Sequence, residues 1–511
     1  MKKYFPILFF AAVFQLQALA QKIDYSLVER EDYKEMNFEI IGKVGGNINV
    51  YKNFKNRHDI SVYDLDMQQK VRINLGFLPE RIINVDFVAY ADFSYMFYQY
   101  AKRGIVYCAY VKLNGEGKLL SDPVEIDTSM TMGNGSSKIY SVINSEDKKK
   151  IVVFKIKRQN EKLYQINAQL FDNNLTLIKR SSFALPATER EGVFTDFLVD
   201  NDGDFVFGRS GRTGGREYIN KLDLVYKKAG SDTVRVLPVP LGSKTLDEIK
   251  LKFDNNNKKI ILTSFFYKQK RGNIDGLYTM VWDKKTMYIS AENELQFNDS
   301  LRFDAKSENG SLKTAFNDHF IRNVIPLQDG SFVVVSELYY SSSRGNTWNR
   351  YDYLYGNGLF YPYDMMYYSP MNRMYGWGFY DPFGRFGQPN NMVRHVAENV
   401  MVFYFTAEGK LSWSNTIRKN QFDDNTDAFI SYQLFNTGNE LRFLFNQREK
   451  REQLLNSATI DANGKLKRQP TLKNLNRDYD FMPKYGKQIG LRQMILPCMY
   501  KNYICFAKLE F

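Results

Sequence analysis

Two kinds of short hairpin alternate along almost the whole chain, and this repeat limits what the chain can fold into. The first kind joins two strands rich in β-branched and aromatic residues by a polar turn, as at 140–156, 194–210, 249–266, 320–338, 429–447 and 494–511. In the second kind, the first strand ends in an Asn, Asp or Gly turn, as at 107–120, 166–178, 402–411 and 458–466. Gly and Asn tolerate the positive φ of tight turns, so these segments predict hairpins.

Alternation of two hairpin types every ~45 to 60 residues is typical of four-stranded blades. We therefore predict an all-β fold: a β-propeller of seven or eight four-stranded blades over 37–511, preceded by an N-terminal segment at 21–36. The hairpin at 494–511 lacks its second half. The ring would close without an open sheet edge if these C-terminal strands shared a blade with N-terminal strands.

The repeat resembles secreted β-propellers of the TolB-like and WD40-like kind. The turn Asp200-Asn201-Asp202-Gly203 is a degenerate form of the D-x-D-G turn of such proteins, and Trp282-Asp283 is the chain's Trp-Asp pair, although it is not at a blade end. The resemblance implies a scaffold or binding surface more often than catalysis, and it identifies no site residues.

An outer-membrane barrel is the alternative architecture, because 503–511 alternates in polarity and ends in an aromatic residue. The segments at 152–154, 260–262 and 333–335 are apolar at every position. Strands of that kind are buried on both faces, whereas barrel strands alternate between lipid-facing and lumen-facing residues. The sequence therefore favours the propeller.

Residues 1–20 have the order of a cleavable secretory signal. Two lysines precede an apolar run at 7–14, and Ala18-Leu19-Ala20 predicts cleavage after Ala20. The apolar run is shorter than the ~20 residues that span a bilayer, so we expect no transmembrane helix. We expect an exported protein that is periplasmic, associated with the outer membrane, or extracellular.

Composition and charge restrict the partners. Hydrophobic residues at 44% and charged residues at 25% are typical of a globular chain and exclude wholesale disorder. The formal net charge is +13, and loss of the two signal lysines leaves +11. A basic surface favours anionic partners such as acidic proteins, acidic glycans or lipid head groups, and export argues against nucleic acid.

The three cysteines are too few for a disulfide scaffold in a chain of this length. Cys498 and Cys505 flank a two-residue turn, which would place them opposite each other on a hairpin at a separation compatible with a disulfide. Two buried thiols are the alternative. Cys108 is expected in the core of a strand.

One segment at 341–392 interrupts a blade. Its first fifty residues hold nine Tyr, four Phe and two Trp, with neither Val nor Ile. This composition predicts a long irregular loop, and long loops on a rigid scaffold are often functional. The predicted partner-binding residues are Tyr351, Tyr353, Tyr355, Tyr367, Tyr368, Trp377 and Tyr380. The alternative is that the loop folds onto the propeller and covers its own apolar face.

Other candidate sites are weaker. The acids of 200–204 could hold Ca²⁺, but a hairpin turn is favoured because no distal Glu follows. A Gly-rich stretch could bind an anion through Arg209, Arg212 and Arg216, although an ordinary loop has the same composition. The histidines lie in different repeats, so we expect no catalytic residues, metal or cofactor.

These features together predict an exported, non-catalytic propeller that docks through its aromatic segment to another envelope protein, as a scaffold or accessory subunit at the outer membrane. The alternative is a secreted carbohydrate-binding or glycan-cleaving propeller. Acids with raised pKa in a pocket beside the segment would favour the second reading. We also expect removal of 343–389 to leave the fold nearly intact.

Overall fold

The structure is a computed structural model, and it describes residues 22–28, 36–54, 56–130, 138–160, 163–186, 193–211, 218–269, 272–343, 348–355, 393–424, 426–449, 452–469, 479–501 and 503–511. It is a ring of eight antiparallel blades. The prediction of a β-propeller is therefore confirmed, with eight as the number of blades.

The first strand, β1 (Lys22–Tyr25), lies in the last blade. Blade 1 consists of β2 (Met36–Val44), β3 (Asn47–Phe54), β4 (Arg57–Tyr63) and β5 (Gln69–Asn74). Blade 2 consists of β6 (Ile82–Ala89), β7 (Phe93–Lys102), β8 (Ile105–Asn114) and β9 (Val124–Met130). Blade 3 consists of β10 (Tyr140–Asn144), β11 (Lys150–Asn160), β12 (Leu163–Asp172) and β13 (Leu177–Pro186). Blade 4 consists of β14 (Val193–Val199), β15 (Phe205–Gly211), β16 (Lys221–Lys227) and β17 (Val234–Pro238).

Blade 5 consists of β18 (Thr245–Asp254), β19 (Lys259–Tyr267), β20 (Gly276–Asp283) and β21 (Ile289–Gln296), and helix α1 (Asp299–Ala305) follows it. Blade 6 consists of β22 (His319–Pro326), β23 (Phe332–Ser343), β24 (Val393–Phe405), β25 (Leu411–Ile417) and the short β26 (Gln421–Asp424), with helix α2 (Arg350–Tyr355) between β23 and β24. Blade 7 consists of β27 (Tyr432–Asn436), β28 (Glu440–Glu449), β29 (Glu452–Asp461) and β30 (Leu466–Gln469). Blade 8 consists of β31 (Tyr479–Phe481), a 3-10 turn (Pro483–Tyr485), β32 (Lys487–Gln488), β33 (Gln493–Tyr500), β34 (Tyr503–Glu510) and β1.

The blades pack face to face, and a separate apolar core fills each of the eight gaps between neighbours, including the gap between blades 8 and 1. The second strand of a blade illustrates why. In β19, Ile260 and Leu262 face the core with blade 4, while Ile261 faces the core with blade 6. Successive side chains of a strand point to opposite faces, so a strand between two cores must be apolar at every position.

The ring closes through the N-terminus. Strand β1 pairs antiparallel with β34, and Tyr25 lies opposite Ala507. The amide of Phe506 donates to Ser26 Oγ at 3.0 Å, and Lys508 Nζ lies 3.0 Å from Asp24 Oδ2. Blade 8 thus takes its outer strand from the segment that precedes the other blades, and the edge of β34 is covered.

The turns between the outer strands have a common hydrogen-bond pattern. In the turn after β12, Asp172 Oδ1 accepts from the amides of Asn174 and Thr176 at 2.9 and 2.8 Å. Asp64, Asn114 and Asp461 accept in the same way from the amides two and four residues later. An Asx side chain of this kind replaces part of the strand ladder and fixes the turn, which explains the Asn and Asp signal of the repeat.

Candidate functional site

The aromatic segment leaves and returns to the propeller at one place. Ser343 at the end of β23 and Val393 at the start of β24 are partners in the strand ladder. Residues 344–392 are therefore a single insertion between the two paired strands β23 and β24. We call the part of it that the structure describes, 348–355, the insertion base.

Arg350 fixes the insertion base to blades 5 and 6. Its Nε donates to Asp247 Oδ2 at 2.7 Å, and its Nη1 donates to the carbonyl of Asn317 at 3.2 Å. The guanidinium carbon lies 4.0 Å from the ring centroid of Phe320. Charge, hydrogen bonds and a cation–π contact thus hold one side chain, and Arg is suited to all three.

Aromatic contacts complete the attachment. The Tyr353 ring lies 4.5 Å from Phe320 and 5.0 Å from Tyr339, between centroids. Trp348 Nε1 donates to Asp318 Oδ1 at 2.8 Å, and Leu354 is 1% exposed within a core that contains residues of blades 4, 5 and 6. The insertion base is therefore part of the packed fold, so a deletion that begins at 343 would remove core contacts.

The structure gives the following positions for the predicted partner-binding residues. Tyr353 is half-buried and accepts a hydrogen bond from Arg322 Nη1 at 3.1 Å. Tyr351 and Tyr355 belong to α2, but their side chains are outside the described part of the structure. The remaining four lie outside the described residues: Tyr367, Tyr368, Trp377 and Tyr380.

A buried charge network contacts Tyr353 through Arg322. Glu337 Oε2 is 3.1 Å from Arg322 Nε and accepts from Ser431 Oγ at 2.6 Å, while Glu337 Oε1 is 2.9 Å from Lys419 Nζ. Burial acts to raise the pKa of Glu337, but the charges of Lys419 and Arg322 outweigh it, so the pKa lies below its usual value. The network joins blades 6 and 7 at the root of the insertion.

Four carboxylates gather beside the same root; we call Asp423, Asp424, Asp427 and Asp480 the carboxylate cluster. Burial raises the pKa of Asp423 to about 7, and the charges of the other three add to the shift. Asp427 is paired with Lys484 at 2.5 Å. Asp423 is opposite His395 in the strand ladder. This region contains an acid that is half protonated near neutral pH.

Asp423→Asn is expected to stabilise the protein by roughly 1 kcal/mol at pH 8, since partial exposure reduces the effect of the pKa shift. A carboxyl whose pKa is raised by folding binds a proton in the folded state, so its ionisation lowers stability as pH rises from its ordinary value of 3.8 towards 7. Urea unfolding should therefore give equal stability for both proteins near pH 4 and a growing difference up to pH 7. Equal stability at pH 8 would contradict the raised pKa.

His395 is paired with Tyr339, whose hydroxyl lies 2.9 Å from His395 Nδ1. The other histidines are far along the chain and have their own partners. His319 Nε2 is 3.1 Å from the carbonyl of Ala305, and burial lowers the pKa of this imidazole to about 4. Among the described residues, no group of three His, Cys, Asp or Glu side chains could hold a metal ion.

The predicted anion site is only partly described. Arg209 is buried, and its Nε and Nη2 donate to Asp223 Oδ2 at 3.1 and 2.6 Å. Its Nη1 donates to the carbonyl of Pro186 at 3.2 Å. Arg212 and Arg216 lie outside the described residues. The Arg209 guanidinium is thus engaged by Asp223 of its own blade and by Pro186 of blade 3.

The acids of 200–204 form a hairpin turn. Asp200 Oδ1 accepts from the amides of Asp202 and Asp204 at 2.9 and 2.8 Å. The ammonium of Lys284, from blade 5, contacts Asp200 and lies 2.7 and 2.8 Å from Asp202 Oδ2 and Asp204 Oδ2. A lysine of the neighbouring blade thus provides the positive charge that balances these acids.

A polar groove of about 460 Å³ is open between the β19–β20 connection and the region of α1. It is lined by cationic and acidic side chains, among them Lys268, Asp275, Asp299 and Lys313. Arg302, also in the lining, donates to the carbonyls of Phe297, Lys313 and Ile274. These bonds are structural, since they tie α1 to its neighbours.

Sequence patterns missed the charge network and the carboxylate cluster. Glu337, Lys419 and Ser431 come from separate parts of the chain, and residue spacing along a chain does not report such encounters. One local signal exists, because Glu337 is the one charged residue of β23 and lies in its buried stretch. A charge at such a position is rarely buried unless it is paired.

No helix in the described ranges is long and apolar enough to cross a membrane. No family model matches the chain, and no curated protein matches its sequence. Solved structures do match it. Prolyl oligopeptidase B from Galerina marginata has 8% sequence identity and a TM-score of 0.42, and the match covers 92% of this chain and 56% of that one.

Two further solved structures match over more of their own length. An ulvan lyase of a polysaccharide lyase family has 10% identity and a TM-score of 0.35, over 83% of this chain and 94% of the lyase. An apocarotenoid oxygenase from Synechocystis has 9% identity and a TM-score of 0.32, over 96% of this chain and 92% of that one.

Proposed function

We propose that the protein is an exported, non-catalytic β-propeller that serves as an interaction scaffold or accessory subunit of a cell-envelope assembly at the outer membrane. One observation carries the proposal: the aromatic segment starts and ends on a rigid attachment. Its ends meet at the Ser343–Val393 pair, and Arg350 and Leu354 fix its first helix in the packed fold. A loop held by a rigid scaffold is a common arrangement for binding.

The composition of the segment supports a protein partner. Aromatic side chains bury a large area at low entropic cost, and Arg is enriched at interfaces whereas Lys is depleted. Residues 356–392 hold Tyr, Phe and Trp at high density. The same range contains two Arg and no Lys. The signal at 1–20 supports export, and the net charge of the mature chain suits an acidic partner surface.

Replacement of 357–391 by a short Gly/Ser linker is expected to abolish partner binding and to leave the melting temperature nearly unchanged. The variant keeps the insertion base, so the contacts of Arg350, Tyr353 and Leu354 with the propeller remain. The measurement is mild cross-linking and co-purification of the tagged protein from isolated cell envelopes, with thermal unfolding of the same preparations.

A matched control replaces 470–478, which connect blades 7 and 8, by a Gly/Ser linker of equal length. It should retain the partner. Recovery of the same envelope protein with the 357–391 variant would overturn the docking role of the segment. If both variants lose the partner, the loss is caused by loop replacement in general. That result would also contradict a specific docking role of the segment.

A carbohydrate-active propeller is the second candidate, and the carboxylate cluster favours it. An acid with a pKa of about 7 beside other carboxylates has the properties of a general acid in glycan cleavage. Incubation with neutral and acidic polysaccharides, followed by detection of new chain ends, tests this role. Activity that is lost in Asp423→Asn and kept in Asp304→Asn, an exposed acid paired with Arg418, would favour the glycan-cleaving reading.

A further inference from the structure

Two cysteines meet in the blade that closes the ring. Cys498 in β33 and Cys505 in β34 are directly opposite in the strand ladder, and their Sγ atoms lie 2.8 Å apart. Both residues are fully buried. The third cysteine, Cys108, is buried between blades 2 and 3, so it has no access to this pair.

The backbone is already suited to a covalent bond. Residues directly opposite in an antiparallel ladder have Cα atoms ~4.5 to 5.5 Å apart, within the ~4.4 to 6.8 Å range of disulfides. The two sulfurs face each other at 2.8 Å, about 0.75 Å beyond the ~2.05 Å length of the bond itself. Formation of the bond therefore needs a small side-chain adjustment and no backbone movement.

The surroundings favour a disulfide over the other uses of two thiols. The pair lies in the apolar core with Phe435, Leu444 and Phe481, and the rings of Tyr25 and Tyr479 pack against the same core. A metal site would need further ligands, and the described residues provide no group of three ligating side chains. A disulfide is uncharged and is therefore compatible with this apolar core.

We propose that Cys498 and Cys505 are the site of a disulfide cross-link, formed while the chain folds in an oxidising compartment. With glutathione disulfide as oxidant, one cysteine thiolate attacks a glutathione sulfur, forms a mixed disulfide and releases one glutathione. The second cysteine then attacks the mixed disulfide, forms the Cys498–Cys505 bond and releases the other glutathione. The two cysteines are oxidised, the glutathione disulfide is reduced, and the two thiol protons end on the glutathiones.

Burial of the two cysteines determines when the disulfide can form. Burial raises the pKa of the Cys498 thiol well above its usual value, and the thiolate is the form that attacks. Both sulfurs are also closed to solvent once blade 8 is complete. The bond should therefore form rapidly during folding and very slowly in protein that has folded reduced.

The cross-link would secure the closure of the ring. β34 receives β1 along its outer edge from Ala507 to Glu510, and the disulfide ties β34 to β33 two residues before that pairing begins. The residues that the cross-link joins are near the C-terminus, whereas β1 comes from the N-terminus. The bond would therefore hold the C-terminal hairpin ready for the last strand to dock.

The test counts free thiols in the full mature chain. The protein is refolded in a glutathione redox buffer, quenched with acid, unfolded without reductant and treated with N-ethylmaleimide, and its intact mass is measured. We expect a label at Cys108 alone, and labels at all three cysteines after reduction. The Cys108→Ser variant should then take up no label before reduction and labels at Cys498 and Cys505 after it.

Labels at all three cysteines of protein refolded in the redox buffer would overturn the proposal. A second sample is refolded with reductant, freed of it and then exposed to glutathione disulfide in its folded state. Slow loss of the two labels, over at least tenfold longer than during refolding, is expected from the burial of the pair. The readout involves no binding partner, so its result is independent of the proposed docking function.

Discussion

Glu337→Gln is expected to lower the free energy of unfolding by about 3 kcal/mol, because removal of one partner of a buried ion pair leaves the other charge uncompensated. Glu337 is buried and neutralises both Arg322 and Lys419. The amide keeps the shape of the side chain and can still accept from Ser431, so the loss reports the missing charge. Urea unfolding followed by tryptophan fluorescence and by circular dichroism measures it.

Arg418→Gln is the matched control. Arg418 pairs with Asp304 at 3.1 Å, but both side chains are about half exposed. An exposed pair of this kind contributes ~0 to 1 kcal/mol, so the control should unfold almost as the wild type does. A Glu337→Gln protein as stable as the Arg418→Gln protein would show that the buried network contributes no net stability.

The pH dependence gives a second readout of the same network. The pKa of Glu337 is lowered by folding, so its contribution to stability is present above its ordinary value of 4.5 and is lost as pH falls through the folded value. Wild-type protein should therefore lose more stability between pH 6 and pH 3 than Glu337→Gln does. Parallel stability curves for the two proteins would contradict a lowered pKa.

The fold was predictable because its signals are local. Asp172 fixes its turn through amides two and four residues away, so the turn and the residue that causes it lie together in the sequence. The apolar positions of β11, β19 and β23 likewise indicate burial on both faces without knowledge of the neighbouring blades. Hairpins and blades follow from such patterns.

The exact blade count and the site depend on contacts between distant residues. The sequence predicts seven or eight blades and does not decide between them, because β1 is only four residues long and has no hairpin of its own. The network around Glu337 requires Lys419 and Ser431, which no spacing rule relates to it. Tyr353 is an aromatic residue of the insertion in sequence, yet its ring packs on Phe320 and Tyr339.

Removal of residues 1–35 is expected to lower the free energy of unfolding by roughly 3 to 5 kcal/mol, the range for a broken buried ion pair. Lys508 is 3% exposed and would lose Asp24, while Phe506 would lose both of its hydrogen bonds to Ser26. The uncovered edge of β34 should also pair with other chains, so the truncated protein should form oligomers as its concentration rises. Urea unfolding and light scattering measure the two effects.

A peptide that contains residues 21–30 should restore much of the lost stability in trans, because it supplies the missing strand and Asp24. Lys22→Ala is the control in the full chain. Lys22 is exposed and pairs with Asp24 at 3.2 Å and with Asp66 at 3.4 Å, so its replacement should change stability by less than ~1 kcal/mol. A truncated protein that is monomeric and as stable as the control would mean that blade 8 is complete without its outer strand. Closure of the ring would then depend on two features: the hairpin of β33 and β34, and the core between blades 8 and 1.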